Sequence, residues 1–235
     1  MFEQCLYPKS IPPDVLDVFL SKGWFRMGQS IFTTQYVLFD GRMYPSIWLR
    51  HDLKYYSETK TILNLKKRNK HFRVELKQAN ITPIHEELFR HYKMGIQFNA
   101  AQSLHQLLNG YSIHDVSIYN TYEINIYDRN QLIACSYFDI GTKSAEGISA
   151  YYNPDYRSSS LGKYMIYLQI EICKKNGLDY FYPGYFVPGF PHLDYKLDIG
   201  TACLEYLDID SMLWYPINEF NDEGIPIEYQ EYFLD

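Results

Sequence analysis

The chain has little cysteine, no long apolar run and no excess of positive charge. Its four cysteines, Cys5, Cys135, Cys173 and Cys203, lie far apart with no CxxC pair. We therefore expect reduced, buried thiols and predict neither a metal site nor another cofactor. No apolar stretch reaches the roughly 18 residues that a membrane helix needs, and no signal segment is visible, which predicts a cytoplasmic protein without membrane contact. The net charge of −6 argues against a protein that coats nucleic acid, but it permits a small footprint on RNA.

Aromatic residues are abundant instead, with 24 tyrosines in 235 residues. They concentrate in the segment YFYPGYFVPGFPHLDYK, from Tyr180 to Lys196. Pro183 and Pro188 argue against an ordinary central strand there. Rigid, bulky residues in this pattern are typical of a wall around a binding groove, and the alternative is an aromatic core patch with a proline turn.

The hydrophobic pattern predicts an α+β fold. Residues 53–76 look extended, and a helix begins at Thr82-Pro83 and ends at Gly95. In the second half, three strands precede a helix over 161–176 and a buried strand over 178–182. This order predicts a mixed sheet covered by helices.

The loop over 153–160 precedes the predicted helix, so its polar residues lie where free backbone N–H groups and the positive end of the helix dipole point outward. We predict that an anion binds there, and the alternative is an ordinary serine N-cap. The candidates share this position in the chain: Arg157, Ser158, Ser159, Ser160 and Gly162.

The segment from Tyr151 to Lys196, followed by MLWYPI from Met212, resembles the C-terminal domain of the arginyl-tRNA–protein transferases and their bacterial leucyl relatives. The motifs that carry the resemblance are Asn153-Pro154-Asp155, Ser160-Leu161-Gly162, Gly184-Tyr185-Phe186-Val187, Pro191, Tyr195-Lys196 and Trp214-Tyr215-Pro216. Upstream, the segments Asp17–Arg26 and Phe72–Leu76 also resemble the family, so the resemblance covers most of the chain. It implies a GNAT-like mixed sheet flanked by helices (residues 79–235) with a small N-terminal α/β extension (residues 1–78).

The chain departs from the family at two places. Family members carry an N-terminal cysteine cluster implicated in metal or iron–sulfur binding, whereas this chain has only Cys5 there. His192-Leu193-Asp194 stands where the family has Lys-Met-Arg. The second change removes two positive charges beside the implied binding site, which bears on substrate choice.

The resemblance implies transfer of an aminoacyl group from tRNA to a protein α-amine, a reaction that needs positioning and proton transfer. Candidates for proton transfer are Asp139, Asp155, His192 and Asp194, each of which could instead be a turn, cap or solvated residue. Aromatic candidates for stacking on the terminal adenine are Tyr152, Tyr182, Tyr185 and Phe186. Lys196 and Arg157 are candidates for pairing with a substrate carboxylate or an RNA phosphate, and Tyr195 is a further substrate-binding candidate.

A basic run is the candidate surface for the acceptor arm of tRNA, and a solvated hairpin edge defended by lysines is the alternative. Its residues are Lys66, Lys67, Arg68, Lys70 and Arg73.

We therefore predict a monomeric enzyme that adds arginine or leucine from charged tRNA to proteins with an acidic N-terminal residue. One alternative is a GNAT-type acyltransferase that uses an acyl-CoA. The other is a non-catalytic relative that binds N-termini or RNA.

Overall fold

The computed structural model describes residues 3–39, 41–95, 101–110 and 117–221, apart from the side chains of residues 191 and 192. The helices in these ranges are α1 (Pro13–Ser21), α2 (Lys60–Asn69), α3 (Pro83–Met94), α4 (Leu104–Asn109) and α5 (Leu161–Lys175). The strands are β1 (Glu3–Leu6), β2 (Phe25–Met27), β3 (Ser30–Thr34), β4 (Tyr36–Phe39), β5 (Arg42–Pro45), β6 (Ile47–Asp52), β7 (Arg73–Gln78), β8 (Thr121–Asp128), β9 (Gln131–Ile140), β10 (Ser144–Tyr152), β11 (Tyr180–Phe186), β12 (Leu204–Asp208) and β13 (Leu213–Pro216).

Eight strands form one mixed sheet in the order β13-β12-β6-β11-β10-β9-β8-β7. Its neighbours pair antiparallel except β10 and β11, which are parallel. A three-stranded sheet, β1-β3-β2, and the hairpin β4-β5 accompany it. The predicted α+β class, a mixed sheet flanked by helices, is confirmed.

Helices cover both faces of the main sheet because buried side chains along its strands point alternately to one face and the other. On β9, Ala134 and Phe138 belong to the same apolar cluster as Met165 of α5. Cys135 and Tyr137 point the other way and share a cluster with residues of α3 and α4. Helix α1 and the three-stranded sheet pack on that second face, against the β11 side. No helix in the described part of the chain has the length and apolar character required to cross a bilayer.

Two strands from residues 1–78 belong to the main sheet. Strand β6 sits between β12 and β11, and β7 forms the edge beside β8. The division of the chain at residue 78 stays a prediction.

The expectation of extended structure over 53–76 was wrong, because helix α2 occupies residues 60–69. Thr59 caps this helix, with its Oγ1 accepting the Ile62 N–H at 3.4 Å. Ile62, Leu65 and Asn69 form its buried face with helical spacing. Only Arg73 at the end of the basic run belongs to a strand, so the hairpin-edge alternative does not describe the run.

The expectation that Pro183 excludes a central strand was also wrong, since β11 continues through Pro183 in the centre of the sheet. The hydrogen-bonded register with β10 ends at Tyr182. The register with β6 is irregular between Phe181 and Gly184. Pro183 therefore lies where neither neighbouring strand needs a backbone N–H, which removes the usual objection to proline in a central strand.

His51 on β6 is fully buried, and its Nε2 lies 2.8 Å from the Ile199 carbonyl oxygen, to which it donates. Burial lowers the pKa of His51 from its ordinary value of 6.5 to about 4. Between pH 6.5 and 4 the His51 imidazole therefore binds a proton in the unfolded chain but not in the folded chain. We expect this difference to lower the free energy of unfolding by about 3 kcal/mol as the pH falls through that window.

Urea denaturation at pH 7, 5.5 and 4 measures this dependence. In His51→Gln the amide can still donate to Ile199 but cannot titrate, so the variant should lose about 3 kcal/mol less than the wild type over the same range. Parallel pH dependences in the two proteins would contradict the assignment.

Candidate active site

The parallel strands β10 and β11 are joined only at their beginnings. Three residues of β10, ending with Glu146, pair with three of β11, ending with Tyr182. Beyond this point β10 follows β9 and β11 follows β6. The strands therefore separate, and they leave an opening in the middle of the sheet. A register shift between Gly147 and Ser149 marks the point where β10 turns away.

A cleft of about 2190 Å³ occupies this opening. Ile166 and Gln169 of α5 line it on one face of the sheet, and Phe25 and Phe32 of the three-stranded sheet line it on the other. The backbone edges of β10 and β11 lie between them. The volume exceeds the roughly 300–1,000 Å³ of a small-molecule site, so that two substrates could enter from opposite faces and meet at the opening.

The cleft is electropositive in a chain whose net charge is −6. Five cationic residues are among its lining residues, and no aspartate or glutamate of the described chain is among them. Two of the five are paired with carboxylates outside the lining, Arg26 with Asp139 and Lys163 with Asp198. The cations are Lys9, Arg26, Arg157, Lys163 and Lys196. Many of the remaining lining residues are apolar or aromatic. Such a cleft favours anionic and apolar groups over a cationic one.

Lys196 lies at the β11 side of the cleft, where its ammonium donates to the Tyr185 carbonyl oxygen at 2.7 Å. No carboxylate of the described residues pairs with it. Gly184 has a φ of +88°, and a Cβ there would come within 3.3 Å of the Lys196 Nζ. Burial lowers the pKa of Lys196 to about 8. The ammonium is therefore predominantly charged at neutral pH and is available to a substrate anion.

A buried ionic network supports the opposite wall. Arg26 Nη1 donates to Asp139 at 2.9 Å and to Thr121 Oγ1 at 2.8 Å, and both members of the ion pair are inaccessible to solvent. The Arg26 backbone N–H donates to Glu146 Oε2 at 3.0 Å. Glu146 pairs across the strands with Asp139. Burial and the neighbouring Asp139 charge raise the pKa of Glu146 well above its usual range.

The N-terminus of α5 contributes a second cationic part of the cleft. Ser160 occupies the N-cap position with φ of 52°, but its hydroxyl accepts from Arg68 at 3.2 Å and does not cap the helix. Ser160 and Gly162 line the cleft, as does the exposed Arg157, which has no ion-pair partner in the described chain. The serine-cap alternative therefore does not describe Ser160. Ser158 and Ser159 lie beside the cleft and use their carbonyl oxygens to accept from α2.

Three tyrosines stand near Arg157 along the cleft wall. The rings of Tyr92 and Tyr152 have centroids 5.7 Å apart, and Tyr195 belongs to the same lining. Tyr92 also lies close enough to Tyr195 to influence its pKa, which burial raises to about 12. This arrangement offers aromatic faces beside a free cation.

The other predicted site residues fall in different places. Tyr185 lines the cleft, whereas Tyr182 packs on Trp214 and Phe186 packs on Phe220. Asp155 and Asp194 are exposed and are not among the lining residues. Asp139 is held by Arg26 behind the wall. The side chain of His192 lies outside the described residues.

The predicted RNA-binding residues divide into paired and free cations. Lys66 pairs with Glu58 at 2.7 Å, and Arg73 pairs with Glu75. Arg68 contacts the Pro154–Ser159 turn through the Ser158 carbonyl oxygen. Lys67 and Lys70 are exposed and have no ion-pair partner among the described residues. The basic run therefore leads towards the α5 end of the cleft.

One group of possible metal ligands occurs in the described chain, where atoms of His85, Glu123 and Cys135 lie within 4.8 Å of one another. Lys77 already pairs with Glu123 at 3.1 Å. Burial raises the pKa of the Cys135 thiol to about 12, so the thiol stays protonated. These contacts fit an internal hydrogen-bond network and do not fit a metal ion. The cysteine cluster implied by the resemblance does not fit either, because Cys5 has no second cysteine near it in the sequence.

Residues 84–204, just over half of the chain, match the family described as arginine-tRNA-protein transferase, C terminus. The chain belongs to this family. It is 26% identical over 194 residues to an aspartate/glutamate leucyltransferase of Leptospira interrogans, covering 81% of this chain and 74% of that one. It is also 26% identical over 195 residues to an aspartate/glutamate leucyltransferase of Campylobacter jejuni, covering 82% and 80%.

Among solved structures, a GCN5-related glucosamine N-acetyltransferase region of a fungal protein overlaps the chain with a TM-score of 0.42 and 14% identity, covering 86% of this chain and 24% of that one. A likeness at this score bears on neither substrate nor mechanism. Family membership makes the protein an aminoacyl-tRNA–protein transferase, and hence an acyltransferase with an aminoacyl-tRNA donor and a protein N-terminus as acceptor.

Sequence reasoning missed several residues of the site, chiefly Tyr92, Arg26 and Glu146. Tyr92 lies in the predicted helix that ends at Gly95, and nothing in its local sequence distinguishes it from a packing residue. Arg26 and Glu146 are 120 positions apart, and nothing local indicates that they meet. The one available signal was a glutamate just before the predicted strand, in the stretch SAEGISAYY, which is otherwise free of charge.

Proposed function

We propose that this transferase moves leucine from leucyl-tRNA to the α-amine of proteins that begin with aspartate or glutamate. The observation that carries the proposal is the lining of the cleft, which holds five cations and no described carboxylate. An arginyl side chain would add a cation beside Lys9, Arg157 and Lys196, none of which has an ion-pair partner in the described chain, whereas a leucyl side chain finds apolar walls. The names of the relatives from Leptospira and Campylobacter support the same choice.

The acceptor is proposed to bind with its acidic side chain at Lys196. This ammonium is fixed by the Tyr185 carbonyl oxygen and lacks a protein carboxylate partner in the described chain. A charge-assisted hydrogen bond to a carboxylate would compensate its desolvation. Because Lys196 lies beside the opening, the adjacent α-amine would point at the gap between β10 and β11.

The 3′ end of the donor is proposed to bind at the α5 end of the cleft. Stacking of its terminal adenine on Tyr152, with Tyr92 and Tyr195 beside it, would contribute roughly 1–3 kcal/mol. Arg157 would contact a phosphate. The predicted contributions of Ser160 and Gly162 remain proposals for the same end, and Tyr185 would face the transferred aminoacyl group. We further propose that the enzyme acts as a cytoplasmic monomer, since one chain supplies both ends of the cleft.

A transfer assay with four combinations tests the proposal. Leucyl-tRNA and arginyl-tRNA, each labelled in the amino acid, are incubated with peptides that begin with Asp or Ala. We expect label only in the Asp peptide with the leucyl donor. Equal or better transfer from the arginyl donor would overturn the donor assignment, and equal labelling of the Ala peptide would overturn the acceptor assignment. Acetyl-CoA consumption without tRNA would support an acyl-CoA enzyme instead.

Lys67 in α2 and Lys70 directly after it are expected to contribute to tRNA affinity through phosphate contacts. In Lys67→Ala/Lys70→Ala, loss of two such contacts should reduce the slope of log affinity against log salt concentration by about 1.5–2. Filter binding of tRNA at 50–300 mM salt measures the slope. Lys54→Ala/Lys60→Ala removes the same charge from exposed positions outside the predicted basic run. An equal reduction in that control would show only a general charge effect.

A further inference from the structure

The carboxamide of Gln169 is the polar end of an otherwise enclosed side chain in the wall of the cleft. Gln169 is 2% exposed, yet it is one of the residues that line the cleft. Its Nε2 donates to the Tyr137 carbonyl oxygen at 3.3 Å, and because a carbonyl oxygen can only accept, this contact orients the amide. Its Oε1 accepts no hydrogen bond from the described residues. An amide oxygen left in this state calls for a donor that arrives with a substrate.

The Oε1 of Gln169 lies at the point where β10 and β11 separate. Gly147 is the first residue of β10 beyond the pairing with β11, and it lines the cleft. A Cβ at Gly147 would lie 3.0 Å from this oxygen and 2.9 Å from Phe181 Cζ. The amide oxygen therefore lies directly against the position where residue 147 has no side chain, beside the opening and on the α5 face of the sheet.

Gln169 continues a stripe of α5 that begins at the proposed binding site for the 3′ end of the donor. Gly162, Ile166 and Gln169 follow one another at helical spacing, and all three line the cleft. With a rise of about 1.5 Å per residue, Gln169 lies about 10 Å along the helix axis from Gly162. An amino acid esterified to a ribose extends over a comparable distance from its adenine. A terminal adenosine bound at Tyr152 and Arg157 would therefore place the aminoacyl group beside Gln169.

The aminoacyl group brings an amine into a cleft that offers few acceptors for it. This α-amine does not react, because the nucleophile is the α-amine of the acceptor protein. The lining of the described chain holds no carboxylate that could pair with it. An amide oxygen accepts a hydrogen bond from an amine whether that amine is protonated or neutral. Gln169 can therefore bind the amine without adding a charge to the cleft.

We propose that Gln169 is the binding site for the α-amino group of the aminoacyl donor, with Oε1 accepting one of its N–H groups. The proposal rests on the transferase activity proposed above. The contact holds the donor's α-carbon in place while the acceptor amine approaches the neighbouring ester carbonyl carbon from the β11 side. It also makes the enzyme select acyl groups that carry a free α-amine.

A donor without the amine tests this role. Leucyl-tRNA and isocaproyl-tRNA, which differ only in that amine, are each labelled in the acyl group and offered with a peptide that begins with Asp. Because the amine also activates the ester, the measured quantity is the ratio of kcat/KM for the two donors, compared between proteins. We expect this ratio to be about 10–100-fold larger in the wild type than in Gln169→Met, the range of a hydrogen bond to a charged group. Gln169→Glu keeps an acceptor oxygen and should retain at least the wild-type ratio.

Equal ratios in the wild type and in Gln169→Met would overturn the proposal, because a packing role or a contact with the acceptor lowers transfer from both donors alike. A Gln169→Glu variant with the ratio of Gln169→Met would overturn it as well. Thermal unfolding shows whether each variant is folded, and Gln169→Leu takes the place of Gln169→Met in the same comparison if the latter is not. A wild-type protein that transfers neither acyl group from tRNA would instead overturn the proposed function, so the two failures are distinguishable.

Discussion

Asp139→Asn should lower the free energy of unfolding by about 3 kcal/mol, at the lower end of the 3–5 kcal/mol typical when one partner of a buried ion pair is removed. The Arg26 guanidinium contacts Asp139 at 2.9 Å, and both side chains are excluded from solvent. The substitution leaves a buried cation without its counter-ion. The loss stays at the lower end because Glu146 can give up its proton and supply the missing negative charge.

The double variant Asp139→Asn/Glu146→Gln serves as the matched comparison. It removes both carboxyl groups while keeping their shapes, so that Arg26 has no anion left in its surroundings. We expect it to lose at least 1.5 kcal/mol more than the sum of the single variants, as residues of one network couple by about 0.5–3 kcal/mol. Urea denaturation of the four proteins at pH 7 measures the coupling. Additive losses would show that Glu146 does not respond to the charge on Asp139.

Gly147→Ala should reduce the transfer rate by about 100-fold, as displacement of bound groups by about 1 Å can do. A Cβ at this position would lie 2.9 Å from Phe181 Cζ and 3.0 Å from Gln169 Oε1. Relief requires Phe181 or the β10 backbone to shift at the point where the strands separate. Overpacking of this kind also costs about 1–3 kcal/mol of stability.

The second-site variant Gly147→Ala/Phe181→Leu distinguishes closure of the cleft from general damage. Leucine lacks the ring atom nearest to the new methyl group, so that kcat/KM should recover at least tenfold relative to Gly147→Ala. Single-turnover transfer and thermal unfolding of both variants, with Phe181→Leu alone as reference, provide the measurement. Recovery of stability without recovery of transfer would show that the methyl group acts elsewhere than at the cleft.

Parts of the fold with regular periodicity and clear end signals could be predicted from the sequence. Helix α3 runs from Pro83 to Met94, between the Thr82-Pro83 start and Gly95. Helix α5 runs from Leu161 to Lys175, one residue short of the prediction. The run of lysines and arginines after Leu65 concealed α2, because its apolar face is only a few residues wide. A narrow buried face gives a weak periodic signal.

The candidate site was predictable where it is local and unpredictable where it depends on pairing. The residues around Arg157 and Ser160 follow one another in the chain, and several of them line the cleft. The aromatic strand was read as one wall, although successive side chains of a strand point to opposite faces. Phe186 therefore faces away from Tyr185. Tyr182 and Tyr185 share a face because the register with β6 shifts between Phe181 and Gly184, yet only Tyr185 lines the cleft, while Tyr182 packs on Trp214. The contact of Arg26 with Glu146 depends on register between distant segments.

Pro183 has a consequence for how the enzyme meets its substrates. Pro183 follows Tyr182 and has no backbone N–H. The hydrogen bonds between β11 and β10 therefore cannot extend past Tyr182. The opening between β10 and β11 is therefore present before substrate binds, and substrate binding does not have to separate the two strands. Association should be limited by diffusion and charge steering, and the strand positions with and without substrate should coincide.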